Sequence, residues 1–236
     1  MAPARGNTKT QRRRDRTATR GLVSRLPGVE FPVNSPPDLR RGGARAGGAG
    51  LPAMSIATND RAMPHVLFPT AFGTCGIAWN DTGLTGFQLP EETEALNEQH
   101  LASKARSLPA TEPAPGWVQE IIARVQQHLD GKLQDFAGTR LDWGRVTDFQ
   151  QAVYLQALAI KPGYKKSYGE IAKLMALGNE AARAVGVALA TNPWPLIVPC
   201  HRVVSAGDKM TGFSAPGGVR TKTRLLALEG AELLSE

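Results

Sequence analysis

The chain of 236 residues holds two cysteines, Cys75 and Cys200, and Cys200 is followed directly by His201. The reactive form of cysteine is the thiolate, and a free thiol with a pKa near about 8.5 is mostly protonated at neutral pH. An imidazole that accepts the proton, itself held by a carboxylate, converts such a thiol into a nucleophile. Successive side chains of an extended segment point to opposite faces. Contact between Cys200 and His201 therefore requires a turn, or a water that relays the proton. By spacing alone, Glu229, Glu232 and Asp208 are equal candidates for the carboxylate. Taken in isolation, a Cys-His pair is most often a buried inert thiol beside an incidental histidine.

Other side chains could act with that pair. Tyr168 sits at the predicted first turn of a helix, where its hydroxyl either gives a proton to a leaving group or its ring simply packs. Arg183, one turn into the next predicted helix, could reach a phosphate, a base edge or the gap left by an unstacked base. A surface charge or a helix salt bridge is the plainer alternative. Lys165 and Lys166 precede Tyr168 and are placed to meet phosphates, or to lie in a solvated loop.

These residues need a scaffold. Residues 63–142 begin with the apolar run His65–Phe68, then Cys75–Trp79, the bend Asn80-Asp81-Thr82-Gly83, and Leu84–Leu89. That order predicts strand, turn, strand. Glu91–Arg106 reads as a polar helix, 108–115 as a proline-containing loop, and Trp117–Leu129 as a helix with Trp117, Ile121, Ile122, Val125 and Leu129 inward. From Phe149 the pattern is helical, with Phe149, Ala152, Val153, Ala157 and Ile160 on one face, and Pro162-Gly163 ends it. Ser167 and Glu170 fit a capping box opening a helix to about Ala176. Gly178 is expected to end that helix, and Asn179 to cap the next one, Glu180 to about Thr191. Two short helices joined by a tight glycine-containing turn form a helix-turn-helix pattern. The apolar run Leu196–Val198 leads into Cys200, and a last helix, Val219–Glu229, turns Leu225, Leu226 and Leu228 inward.

Residues 1–62 carry twelve Lys/Arg against four Asp/Glu, with Arg12-Arg13-Arg14 and the glycine-rich run 42–48. They lack the apolar periodicity that offsets ordering entropy. They read as a disordered tail that adds nonspecific affinity for nucleic acid, as a targeting segment, or as upstream of a true start at Met54 or Met63. Residues 63–142 carry five basic and ten acidic residues; residues 143–236 carry eleven and seven. A basic part beside an acidic one points to a polyanion on one side only, or to chance asymmetry on a solvated surface. No apolar run is long enough for a membrane span and no secretory signal is present. Two cysteines exclude a disulfide framework and a four-thiolate zinc site, and fit a reducing compartment, here the cytoplasm.

The ordered pieces resemble the O6-alkylguanine-DNA alkyltransferases, the methylated-DNA–protein-cysteine methyltransferases. The residues that carry the resemblance are Pro199-Cys200-His201-Arg202-Val203-Val204 after Leu196-Ile197-Val198. Upstream lie Ser167-Tyr168-Gly169-Glu170, Ala181–Gly186 and Asn192-Pro193; downstream lie Gly212-Phe213-Ser214 and Leu225–Gly230. Residues 145–232 match in register, and 65–140 more faintly. The resemblance implies an α+β protein: a small ribonuclease-H-like α/β domain at 63–142, then a mostly helical, winged-helix-like domain with the helix-turn-helix at 143–236.

It further implies DNA repair of double-stranded DNA carrying O6-alkylguanine, or O4-alkylthymine, by a monomer. The base is flipped out and its alkyl group moves once and irreversibly to Cys200. His201 and Glu229 would generate the thiolate, Tyr168 would protonate or hydrogen-bond the leaving base, and Asn192 would be the hinge behind the recognition helix. Arg183 would fill the vacated stack, small Ala182 and Ala184 would allow close approach to DNA, and Ser214 would hydrogen-bond the flipped base. No cofactor and no metal are expected; His65, Cys75, His100 and His128 lack metal-ligand spacing. Phe213 stands where the family often has tyrosine, which implies an altered pocket rim. A non-catalytic damage sensor is the alternative from within this family; a cysteine hydrolase built on Cys, His and Glu is a third reading, which leaves Arg183 unused.

Overall fold

The computed structural model describes residues 63–208 and 212–231. The readings of 1–62, and the alternatives Glu232 and the Asp208 side chain, lie outside that description. Contacts divide the chain after Arg61, and every described residue belongs to the unit Ala62–Glu236.

The predicted hairpin forms. Strands β1 (Met63–Thr70), β2 (Gly73–Trp79) and β3 (Leu84–Gln88) make an antiparallel meander. The bend between β2 and β3 is held by Asn80, whose Oδ1 accepts the backbone N–H groups of Thr82 and Gly83. Helix α1 (Glu94–Ala105) starts three residues later than the polar run suggests. Thr93 supplies the cap, accepting from the Leu96 N–H. α1 lies on the sheet through Leu101 and Ala105 against Ala78 and Leu67. The approach is close: a Cβ on Gly76 would stand 2.6 Å from Leu101 Cδ2. The loop reading of 108–115 needs correction at its start. Ser107–Pro109 is a short strand, β4, parallel to β1, and the sheet order is β3-β2-β1-β4. Helix α2 (Gly116–Leu129) buries Val118, Ile121, Val125, His128 and Leu129. Trp117 and Ile122 are only half-buried.

The second part is helical. α3 (Asp148–Leu158) opens on a capping box, Thr147 with Gln150, and buries Ala152, Val153, Tyr154 and Ala157. The predicted box of Ser167 and Glu170 caps α4 (Tyr168–Leu174). α4 stops before Gly178: Met175 is the C-cap and Ala176 takes a left-handed backbone, φ 56°. Asn179–Ala181 is a single 3-10 turn entered from Gly178 without a side-chain cap, so α5 runs Ala182–Ala190 and Asn179 caps nothing. Two-residue strands β5 (Lys166–Ser167) and β6 (Val203–Val204) pair in parallel, which sets the start of α4 beside the chain leaving Cys200. α6 (Gly218–Leu228) buries Leu225 and Leu226, while Leu228 is half-buried; Gly230 comes next with φ 70°.

Trp194 joins the sheet to the helices. Its buried indole N–H donates to the Leu84 carbonyl (2.8 Å), and Trp143 and Tyr154 meet its ring edge-on. Beside it the Phe87 N–H donates to the Pro193 carbonyl, 2.9 Å. The architecture is mixed α+β. Among the described residues no helix is long and apolar enough to cross a membrane.

Candidate active site

A turn does lie between Cys200 and His201, but it does not join the His201 ring to the Cys200 sulfur by a hydrogen bond: Nε2 meets Glu229 and Nδ1 has no partner. Pro199 (φ −80°, ψ 65°) makes an inverse γ-turn, with the Cys200 N–H donating to the Val198 carbonyl at 2.8 Å. Cys200–Arg202 then form one 3-10 turn. Asn192, just past α5, fixes this loop. Its Nδ2 donates to the Val198 carbonyl (2.9 Å) and to Cys200 Sγ (3.3 Å), while its Oδ1 accepts from the Trp194 N–H (2.9 Å). The end of α5 and the thiol are thereby tied through one side chain.

Cys200, 6% exposed, forms the floor of a cavity of about 290 Å³. Tyr168, Gly186, Leu189, Phe213 and Ser214 line it. That volume stands at the small end of ligand pockets and suits one flat ring system. A Cβ added at Gly186 would stand in ordinary contact with the Tyr168 ring, at 3.8 Å.

Beneath the cavity lies a sealed polar cluster. His201 Nε2 donates to Glu229 Oε1 at 3.0 Å. Arg202 grips the same carboxylate with both arms of its fork, Nε to Oε2 at 2.9 Å and one terminal nitrogen to Oε1 at 2.8 Å. His201 and Glu229 are 0% and 3% exposed. A carboxylate only accepts, so His201 carries its proton on Nε2; its buried Nδ1 has no hydrogen-bond partner. The one unpaired nitrogen is therefore the basic one.

Of the three carboxylates open to the sequence, Glu229 is the one that meets His201 among the described residues. Three residues of this cluster carry no signal of their own in the sequence. His128 of α2 donates to Glu229 Oε1 at 3.0 Å from 101 positions upstream. Arg202 stands out only as part of a motif. Lys222, fully buried in α6, donates to the Val203 carbonyl (2.7 Å), and its ammonium stands 5.9 Å from the centre of the Tyr168 ring.

The nucleic-acid candidates lie apart from the cavity floor. Arg183 and Ala184 are exposed on the first turn of α5 and Ala182 is half-buried; Gly186 and Leu189, one and two turns further along the same helix, line the cavity. Lys165 and Lys166, both half-buried, lead into Tyr168, and Ser214 is exposed at the cavity rim. Cys75 takes no part. It is sealed under the sheet, and burial pushes its thiol up to about 12.

Burial also raises the Cys200 thiol above its ordinary value; the Asn192 amide, the Lys222 charge and backbone N–H groups pull it partly back. Burial lowers His201, outweighing the pull of Glu229. At rest the pair is thus a thiol and a neutral imidazole. For Glu229, burial favours protonation, but the hydrogen bonds from His128, His201 and Arg202 together hold the carboxyl far below the usual range. Tyr168 is raised by burial and then by the nearby sulfur, so it stays a proton donor.

These directions set a stability profile. His201 is neutral in the fold but takes a proton when unfolded, so stability falls as pH drops below about 6.5. Glu229 is ionised in the fold, and its contribution, full above about 4.3, is lost as pH falls toward its depressed folded value. Each group costs up to about 1.4 kcal/mol per pH unit within its window. Urea midpoints at pH 7.5, 5.5 and 4 are expected to fall in that order, and His201→Gln, which still donates but does not titrate, should flatten the upper interval. A wild-type midpoint unchanged between pH 7.5 and 5.5 would contradict the assignment.

Comparison with known proteins places this geometry. Residues 148–231 match the family model described as 6-O-methylguanine DNA methyltransferase, DNA binding domain. The chain is 37% identical over 157 residues to the methylated-DNA–protein-cysteine methyltransferase of Mycobacterium tuberculosis, covering 66% of this chain and 86% of that protein. The protein of the same name from Methanothermobacter thermautotrophicus is 32% identical over 158 residues, covering 67% and 80%. Among solved structures, Mycobacterium tuberculosis OGT in complex with DNA is similar with a TM-score of 0.57 and 34% identity, covering 71% of this chain and 92% of that one. The O6-methylguanine-DNA methyltransferase of Pyrococcus kodakaraensis gives a TM-score of 0.54 at 26% identity, covering 72% and 99%.

Proposed function

The chain belongs to the methylated-DNA–protein-cysteine methyltransferase family, and from that premise we propose that it repairs DNA by moving the alkyl group of O6-alkylguanine onto Cys200, one group per molecule. The observation that carries this reading is the cavity itself. Its floor is the Cys200 sulfur, its wall is Tyr168, and an unpaired imidazole nitrogen lies beneath in His201.

The reaction is one displacement. Duplex DNA hides the O6 substituent, so the base leaves the stack and enters the cavity. Cys200 Sγ forms a bond to the alkyl carbon while the bond from that carbon to O6 breaks. The thiol proton passes, through a water, to His201 Nδ1, and Glu229 steadies the imidazolium that results. The departing guanine gains negative charge, which the Tyr168 hydroxyl meets with a hydrogen bond or a proton. The proton held by His201 returns through solvent to the guanine, or to Tyr168 where that gave one, so atoms and charge balance with no cofactor; the thioether is stable, and the protein is consumed. Resting neutrality of Cys200 and His201 suits this order, since the thiol gives up its proton only as the sulfur bonds to the alkyl carbon.

The first turn of α5 supplies DNA contact. Arg183 enters the gap left by the flipped base, Ala182 and Ala184 let the helix come close, and Ser214 at the rim hydrogen-bonds the base. Residues 63–142 act as the ribonuclease-H-like domain and 143–236 as the winged-helix-like catalytic one, in a cytoplasmic monomer. Lys165 and Lys166 meet phosphates. Two such contacts predict a roughly tenfold loss of DNA affinity between about 50 and 200 mM salt, and Lys166→Gln should make the slope shallower by about one. A slope indifferent to Lys166 would remove it from the interface.

Intact mass after incubation with an O6-methylguanine duplex tests the main reading. The expected gain is about 14 Da, and it stops at one equivalent. Lesion binding without that gain would make the protein a damage sensor.

A further inference from the structure

The shared carboxylate carries an inference beyond the pair that the proposed reaction uses. Glu229 Oε1 accepts three donors: His201 Nε2, Arg202 and, from the other side of the cluster, His128 Nε2. The tautomer of His128 is set by the backbone, because its Nδ1 accepts the Gln134 N–H at 3.0 Å. Nδ1 is therefore bare, Nε2 carries the hydrogen, and the ring is a neutral donor. It is fully buried and packs against Phe136, with ring centres 5.4 Å apart.

We propose that His128 is a positioning residue for this site: by filling Glu229 Oε1 with a neutral hydrogen bond, it holds His201 uncharged with Nδ1 free to receive the Cys200 proton. The inference rests on the reading of His201 as proton acceptor. Its physical basis is competition for one oxygen. Two imidazoles cannot both draw fully on the same lone pairs, and each donor weakens the hold of the carboxylate on the others. With His128 absent, the whole pull of Oε1 would fall on His201 and Arg202. His201 would then take a proton from solvent at a higher pH, and Nδ1 would already be occupied when substrate arrived. Arg202 opposes that protonation by its own charge but cannot replace the missing neutral donor. The charged and titratable groups that face His128 are Glu229 from the end of α6, and His201 and Arg202 from the 3-10 turn. On its loop side it meets the Gln134 N–H and the Phe136 ring, over which the Arg124 guanidinium lies at 5.3 Å.

Two measurements decide it. Histidine 15N spectra of the unmodified protein at pH 7 should show His128 as a neutral Nε2–H ring; an Nδ1–H or doubly protonated His128 would overturn the proposal. The second is the pH dependence of the second-order rate constant with free O6-benzylguanine, which reports the unliganded protein. His128→Leu is expected to move the acid limb upward by about one pH unit, a tenfold loss on that limb. His128→Gln, which keeps a neutral donor, should restore the wild-type limb. An unmoved limb in folded His128→Leu, or a moved one in His128→Gln, would overturn it. If His128→Leu does not fold, the glutamine variant and the 15N spectra still decide. Failure of the wild type to alkylate at all would instead refute the repair reading, and the 15N spectra would test the shared oxygen independently.

Discussion

The Cys200→Ala protein is expected to gain no mass from an O6-methylguanine duplex, yet to bind it within about threefold of the wild-type affinity. The substitution keeps the Cβ and removes one sulfur from a cavity floor. Asn192 loses its 3.3 Å contact to that sulfur but keeps the Val198 carbonyl and the Trp194 N–H, so the loop stays closed. The DNA-facing residues of α5 are untouched. Cys75 cannot stand in for Cys200, since it is sealed away from the cavity and its thiol is pushed up to about 12. The transfer readout is thus all or none, measured by intact mass beside a gel shift on the same duplex. Methyl gain at any other residue of the variant would dislodge Cys200 from its role.

Arg183→Ala should react with free O6-benzylguanine within about threefold of wild type, while repair of duplex DNA falls by about a hundredfold. Unpairing and unstacking a base costs a few kcal/mol, and every 1.4 kcal/mol or so is tenfold in rate. A side chain that occupies the emptied place in the stack offsets much of that cost, and only a duplex incurs it. Arg183 is exposed one turn before Gly186, so it can enter the helix while the cavity end of α5 receives the base. Single-turnover rates on the two substrates give the comparison. Equal losses on both would mean that the arginine shapes the cavity and has no part in opening the duplex.

Local signals in the sequence are good guides where neighbours in the chain do the work. The capping box of Ser167 and Glu170, the Asn80 bend and the Cys200-His201 turn all depend on residues within a few positions, and all form. β4 is invisible in the sequence because Leu108-Pro109 has no propensity of its own and exists as a strand only through β1. The start of α5 is misplaced by sequence because Asn179 looks like a cap, whereas Gly178 and a 3-10 turn do that work without a side chain. The polar cluster is the least legible part. Lys222 carries no sequence signal and Arg202 only its place in a motif, and their burial depends on carbonyls and a carboxylate that only the fold supplies. His128 reads as one more helical position with no ligand spacing, and its partner stands 101 residues away.

The Trp194 indole and the His128 ring reach across the chain in opposite directions, one toward Leu84 and the other toward Glu229. Together they decide where the molecule can be cut. A fragment limited to residues 148–231 would hold the nucleophile, its hinge and its carboxylate. It would also strand a buried indole N–H and expose the oxygen that His128 now occupies. The segment that looks self-sufficient in a motif search is, by its bonding, half of a clasp, and an autonomous miniature would need new partners built at both points before it could be expected to fold around a working thiol.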